Sequence, residues 1–244
     1  MSTLTSIWRE IRKSIIPFKW EQRYVALLHY RYYQRMRSNS GEHSFQPFDD
    51  HRCIFIHVPK NGGISVANGL FGVNRMMGGH FSVDFYETIF GTDFANYFKF
   101  AISRNPWDRL VSAYHFLKSG GLYHGDATWA VRHLAGFHSF HDFVDNWLDS
   151  SNLRKGIHFI PQYEFICDAH GRIAVDYVGR LEALDEAYAH ISQRLNLHHR
   201  PLPHTNSSKR RTDYRTYYGD KQAEKVAAVY KRDIETFGYT FDPP

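Results

Sequence analysis

The clearest pattern in the chain is Cys53-Ile-Phe-Ile-His-Val58, a near-continuous apolar run bounded by turn residues. Such a run suits a short strand buried on both faces of a parallel sheet. Gly62 and Gly63 follow it, and a helical spacing then carries Ile64, Ala67, Leu70 and Phe71. A second apolar run, Phe98-Lys-Phe-Ala-Ile-Ser103, predicts another strand, passing at Arg104 into a helix with Leu110, Ala113, Tyr114 and Leu117 on one face. Asn105 can cap that helix, Pro106 suits its first position, and Asp108 stands three residues after the cap. Further helices are predicted near 140–148, 184–197 and 221–237, and further strands near 163–167 and 173–178. Strands alternating with helices point to an α/β fold with a parallel sheet.

Residues 1–38 stand apart. Trp8, Ile11, Ile15 and Ile16 alternate with Arg9, Arg12 and Lys13, while Tyr24, Leu27, Leu28 and Tyr32 are mixed with Arg23, Arg31, Arg35 and Arg37. This predicts an aromatic, basic, amphipathic pair of helices broken at Pro17. Two readings fit it: an arm packed on the domain or on a second subunit, which is preferred, or peripheral attachment to an anionic membrane surface. Residues 38–50 carry Gly, Ser, Pro and Asp and read as a linker. The expected organisation is therefore an N-terminal helical arm and linker over 1–50 and one main domain over 51–244.

Composition narrows the partners. With 244 residues, 43% hydrophobic and 23% charged, the chain resembles an ordinary soluble globular protein. A net charge of +5 and a pI near 9.1 favour a nucleotide phosphate, an acidic glycan or a lipid head group, or else mean only a solvated basic surface. No nucleic-acid partner is expected, and the oligomeric state is not legible. Cys53 and Cys167 make no disulfide framework, Cys53 reading as a buried free thiol, and both fit a reducing compartment. Met1 to Glu10 lacks the apolar core of a signal peptide, and no apolar run is long enough to span a bilayer. A cytoplasmic location, with peripheral membrane contact as the variant, is the expectation. The sixteen histidines include no HExxH or Cys/His finger spacing, and His198-His199 before Pro201 reads as solvated loop.

Two strand-to-helix junctions carry the candidate chemistry. The first is Pro59-Lys-Asn-Gly-Gly-Ile-Ser65. Glycines let the backbone approach a ligand there, the amides at a helix start favour an anion, Lys60 adds a mobile charge and Ser65 a hydroxyl. The pattern is a phosphate or sulfate cradle, or a plain tight turn. It is not a Walker A loop, because GxxxxGK[ST] is absent and the lysine precedes the glycines. The second junction is Arg104-Asn-Pro-Trp-Asp-Arg-Leu-Val-Ser-Ala-Tyr114. Arg104 stands at the carboxyl end of its strand, where open α/β sheets bind ligands, and Ser112 follows about two turns into the helix. The competing readings are a surface salt bridge for Arg104 and a helix serine bonded to its own backbone for Ser112. Together the junctions suit a ligand anionic at both ends.

The first stretch resembles the 5′-phosphosulfate loop, PKTGGTS, of the carbohydrate sulfotransferases related to the heparan sulfate 2-O-sulfotransferases. The second, RNPWDRLVSAY, is similar to that family's 3′-phosphate motif, an arginine with a serine eight residues on. Pro161-Gln162, Val178-Gly-Arg-Leu-Glu182, Asn206-Ser-Ser208 and Asp233-Ile-Glu-Thr-Phe-Gly-Tyr239 extend the resemblance from Cys53 to the C-terminus. It implies a P-loop-like, three-layer fold with a central parallel sheet flanked by helices, and no metal requirement. It also implies 3′-phosphoadenosine 5′-phosphosulfate (PAPS) as co-substrate, held by Lys60, Asn61, Gly62, Gly63, Ile64 and Ser65 at one end and Arg104 and Ser112 at the other. Asn61 and Ile64 replace the two threonines of the family loop, so hydroxyl contacts are lost or changed.

Sulfuryl transfer needs charge stabilised on the leaving oxygen, a role suited to Lys60, and a base for the acceptor hydroxyl. The base candidate is His80, in Met77-Gly-Gly-His-Phe-Ser82, a glycine-rich interval where the resembled enzymes carry a catalytic histidine. The uronic-acid 2-O enzymes read His-Gly-His there, and Gly78 stands here at the first position, so the acceptor need not be a uronic acid. His115 and His124 are the fallback bases. Arg180 and Glu182 match a segment of structural pairing or nucleotide contact. Asn206 to Arg211 resembles a loop closing over the cofactor, with Ser208 and Arg211 the candidates, against a merely solvated basic loop. The expected activity is transfer of a sulfuryl group from PAPS to a saccharide or glycolipid hydroxyl. The alternatives are a nucleotide-dependent phosphotransferase and a non-catalytic module binding anionic glycans.

Overall fold

The computed structural model describes residues 16–40, 43–72, 77–197, 202 and 213–242. It is a mixed α/β structure. The elements in chain order begin with α1 (Phe18–Leu28), α2 (Tyr30–Met36), α3 (Gln46–Asp50), β1 (Cys53–Ile56), α4 (Gly63–Phe71), α5 (Val83–Phe90), α6 (Thr92–Asn96) and β2 (Phe98–Ser103). They continue with α7 (Pro106–Lys118), α8 (His124–Leu134), α9 (Phe140–Asn146), α10 (Tyr163–Ile166), β3 (Tyr177–Arg180), α11 (Leu184–Arg194), α12 (Asp220–Val229) and α13 (Lys231–Phe237). Residues cluster into two compact units, one of 1–103 with 162–205 and one of 104–161 with 206–244. Among the described residues no helix is long and apolar enough to cross a membrane.

The first unit contains the sheet, three parallel strands in the order β1-β2-β3. Cys53 pairs with Phe98 and Ile56 with Ala101, while Phe100 pairs with Tyr177 and Ser103 with Arg180. All four residues of β1 are buried, which is why it reads as an unbroken apolar run rather than an alternation. Phe55 and Phe100 stack across the strand pair with ring centres 5.0 Å apart. The ladder ends at Ile56, two residues before the predicted limit, because Val58 N–H turns back to the Ile56 carbonyl. Cys53 and Cys167 are buried free thiols, and burial pushes the Cys53 thiol far up.

A cluster of aromatic rings covers one flank of this unit. Residues 38–50, expected to be a linker, instead carry Phe45 and Phe48, both fully buried. Phe45 stacks on Phe48 and packs edge-on against Tyr86, and Tyr33 of α2 meets Phe85 at 4.7 Å. Polar turn residues dominate that stretch and conceal two rings three positions apart. Replacing one such phenylalanine by alanine costs about 3–5 kcal/mol. In the aromatic basic stretch α1 begins directly after Pro17, where the break is predicted, and a further break falls at His29. Of the two predicted N-terminal helices, the one around Trp8 to Ile15 lies outside the described residues. The inward side of α1 packs on α5, and Phe18 meets Phe165 at 4.9 Å.

The strands predicted near 163–167 and 173–178 are corrected. Tyr163–Ile166 is one helical turn, and a single antiparallel bridge joins Cys167 to Ile173. The cause is local: the Asp168 carboxylate accepts the amides of His170 and Arg172, and Gly171 takes φ +80°, closing a tight turn that ends the extended run. Only Tyr177–Arg180 pairs with the sheet.

In the second unit α7 is the centre, with Trp107, Leu110, Val111, Tyr114 and Leu117 buried in a core shared with Phe143, Trp147 and Phe159. Its start follows the sequence rules: Asn105 Oδ1 accepts Trp107 N–H at 3.0 Å, with Pro106 in the first turn. The helix predicted over 221–237 divides at Tyr230, whose fully buried ring sends its hydroxyl to the Phe159 carbonyl at 2.8 Å.

Candidate active site

In the first unit the chain leaves β1 through His57, Val58 and Pro59 and curls at two left-handed residues, Lys60 (φ +70°) and Gly62 (φ +74°). Glycine suits such a φ, whereas Lys60 is held there against its own preference. Gly63 is required for a different reason, since a Cβ on it would fall 2.1 Å from the His57 ring. The first helical bond of α4 runs from Val66 N–H to Gly62 C=O, so the amides of Gly63, Ile64 and Ser65 form the open end of the helix. Curl, helix start and Lys60 thus fall together at the loop where the sequence places its anion cradle.

Asn61 holds the cradle's shape. Its side chain is buried and donates to the Ile102 carbonyl at 2.6 Å and to Gln162 Oε1 at 2.7 Å. The amide that replaces a threonine of the family loop is thus committed to fastening the loop to the end of β2. Ser103 Oγ donates to the Gly179 carbonyl at 3.1 Å and fixes the next residue pair across the sheet.

His80 joins this loop from 23 residues away. Its Nδ1 lies 2.9 Å from the His57 carbonyl oxygen. A carbonyl can only accept, so Nδ1 is the donor, and whenever the ring is neutral Nε2 is the nitrogen with the lone pair. The two imidazoles meet edge-on at 4.6 Å, and His57 stacks on Phe55. Burial first, then the charges of His80 and Lys60, hold His57 well below the usual histidine range. That couples Lys60, His57 and His80 in one electrostatic neighbourhood. Gly78 (φ +73°) and Gly79 (φ +97°) shape the approach, and a Cβ on Gly78 would meet the Tyr86 hydroxyl at 2.6 Å.

The family pattern named as a sulfotransferase family, family 2, matches residues 43–240. The chain belongs to that sulfotransferase family. No curated protein and no solved structure matches it.

The second unit of this sulfotransferase carries the other predicted junction. Arg104 is buried and donates through Nε to Asp108 at 2.8 Å, with its terminal nitrogen equally close. Asp108 therefore serves as the partner that orients Arg104. Arg104 precedes α7, Asp108 lies in its first turn and Ser112 one turn further on, where it is half-buried. Asn105 also donates to the Tyr214 hydroxyl and to the Thr240 carbonyl, tying the start of α7 to the C-terminal segment. Among the fallback bases, His115 packs against Tyr217, while His124 is exposed at the start of α8. Arg180 and Glu182 are exposed at the end of β3. Ser208 and Arg211 lie outside the described residues.

Two residues were passed over in the sequence. His57 read only as the end of a strand, and Gln162 as a fragment of a similar motif. The signal for His57 was its position three residues before Lys60. Gln162 offered none, because its partner Asn61 is 101 positions away.

Proposed function

We propose that the protein transfers a sulfuryl group from PAPS to a hydroxyl of a saccharide or glycolipid acceptor. The observation that carries the reading is the 2.9 Å contact of His80 Nδ1 with the His57 carbonyl, since it leaves Nε2 as the nitrogen able to serve a hydroxyl as base. What supports a phosphosulfate in the loop is the helix start at Gly63, where a side chain would strike His57 and the backbone can come close to an anion. When bound, PAPS supplies an activated sulfuryl group attached through a bridging oxygen to the nucleotide.

On this reading the amides of Gly62, Gly63, Ile64 and Ser65 hold the phosphosulfate, and Lys60 neutralises the charge that gathers on the bridging oxygen. His80 Nε2 removes the acceptor's hydroxyl proton as the new oxygen–sulfur bond forms and the bridging bond breaks. Arg104, fixed by Asp108, and Ser112 take the 3′-phosphate, and Ser208 and Arg211 belong to the loop assigned to the nucleotide. Asn61 acts through the loop it fastens. Gly78, packed against Tyr86, leaves His80 as the sole histidine of Met77–Ser82, so the acceptor need not be a uronic acid.

The test is a screen of saccharide and glycolipid acceptors with labelled PAPS and purified protein, with ATP as the parallel donor. Label transferred from PAPS, abolished by His80→Ala, is expected. Transfer from ATP and none from PAPS would replace this reading with phosphotransfer.

A further inference from the structure

The helix α1 has two apolar faces, and among the described residues only one is covered. Phe18, Gln22 and Ala26 are buried against the first unit. On the opposite side Trp20 is 66% exposed, Leu27 61%, Leu28 57% and Tyr24 48%. Positions 20, 24, 27 and 28 recur at the spacing of one helix face, so these side chains form a stripe rather than a scatter. Tyr30 and Tyr32 of α2 extend the exposed surface. Six of the ten exposed large hydrophobic residues among those described fall within 13 positions of the chain, a concentration that marks an interaction surface.

Within residues 18–36 the exposed charges have one sign, while Asp84 and the exposed Glu87 of α5 lie nearby. Arg23, Arg31 and Arg35 are exposed, and the one acid between 18 and 36, Glu21, is 6% exposed. Lys19 is turned inward and donates to the Asp168 carbonyl. Asp84 of α5 lies within electrostatic reach of Lys19 and Arg23 and is half-buried. A second copy meeting this face about a two-fold axis would set arginines against arginines, with no acid of the segment to answer them. An anionic lipid surface answers both features, because head-group phosphates take the arginines while tryptophan, tyrosine and leucine enter the interface.

We propose that α1 and α2 form a peripheral docking surface for anionic membranes, independent of the catalytic assignment. The inner face of α1 anchors it to the fold, and the outer face enters the lipid.

The full chain is sedimented with vesicles of phosphatidylcholine alone and of phosphatidylcholine mixed equally with phosphatidylserine, at low and high salt. Binding to the mixed vesicles alone, released by salt, is expected. Arg23→Gln, Arg31→Gln and Arg35→Gln together should weaken that binding on the order of 10²-fold. Trp20→Ser with Leu27→Ser and Leu28→Ser should abolish it while the melting temperature stays that of the parent, since all three are exposed. Light scattering of the parent across a concentration series reports self-association in parallel. Equal binding to both vesicle types overturns the proposal, as does no binding to either. So does a concentration-dependent rise in mass that the apolar variant removes, which would make the face a contact between copies.

Discussion

The Nδ1 of His80 lies 2.9 Å from the carbonyl oxygen of His57, and this single contact decides which nitrogen of His80 can act as a base. The contact is to backbone, so it survives most changes of the His57 side chain, whose ring fills the space over Gly63. Orientation and packing are thereby divided between the two parts of one residue.

From this follows the first expectation. His80→Ala should lower turnover by roughly 10²-fold or more, the usual effect of removing a general base. Affinity for adenosine 3′,5′-bisphosphate, measured by calorimetry, should stay within about twofold, as ordinary scatter around a residue that acts on the acceptor alone. Near-normal turnover in the variant would move the role to His115.

His57 gives a stability prediction. Its folded-state pKa is depressed from 6.5, chiefly by burial, so the unfolded chain binds the proton more readily than the fold does. Stability from this residue is therefore complete above about pH 6.5 and is lost as the pH falls below it. Chemical denaturation at a series of pH values should show this loss, and His57→Gln should remove its share of the slope. An unchanged slope in the variant would assign the acid sensitivity to another group.

Lys60 sits at φ +70°, which permits a cleaner substitution than alanine. Lys60→Gly should hold or raise the melting temperature, because glycine adopts that conformation without strain. It should lower both turnover and donor affinity, since the ammonium meets the bound anion as well as the leaving oxygen. A variant with full activity would remove Lys60 from the chemistry.

For Asn61, substitution by alanine should destabilise the fold by about 1–3 kcal/mol, the cost of leaving buried polar partners unmade. The partners are the Ile102 carbonyl and Gln162 Oε1. Denaturant titration measures the loss, and Gln162→Ala combined with Asn61→Ala should cost less than the two single changes added together. Additive costs would show that the pair does not act as a unit.

Arg104 is tested with nucleotides. Adenosine 3′,5′-bisphosphate should raise the melting temperature well above the shift given by ADP, through binding to the folded state alone. Arg104→Ala should erase the difference. Asp108→Asn should reduce it in part, because the guanidinium loses the carboxylate that orients it. Equal shifts by the two nucleotides in the parent protein would end the assignment of a 3′-phosphate site.

What the sequence by itself determined is local in origin. β2 spans the predicted Phe98–Ser103, since six apolar-rich residues between turns leave a chain little else to form. Asn105 and Pro106 start α7 as their capping chemistry requires. The turn between β1 and α4 was legible because a left-handed curl favours glycine and a helical spacing follows it. Helices α5, α6 and α8 went unseen, and α10 was mistaken for strand, because their short windows carry no decisive period. Tertiary structure decided what depends on distant partners. The burial of Phe45 and Phe48 required the rings of α2 and α5; the break at Tyr230 required the Phe159 carbonyl; the fastening of Asn61 required Gln162. The placing of His80 on His57 required the Gly78-Gly79 turn to close against Tyr86. Capping, turn formation and apolar runs are settled within a few residues, whereas a side chain's partner across the chain is settled only when the whole core closes.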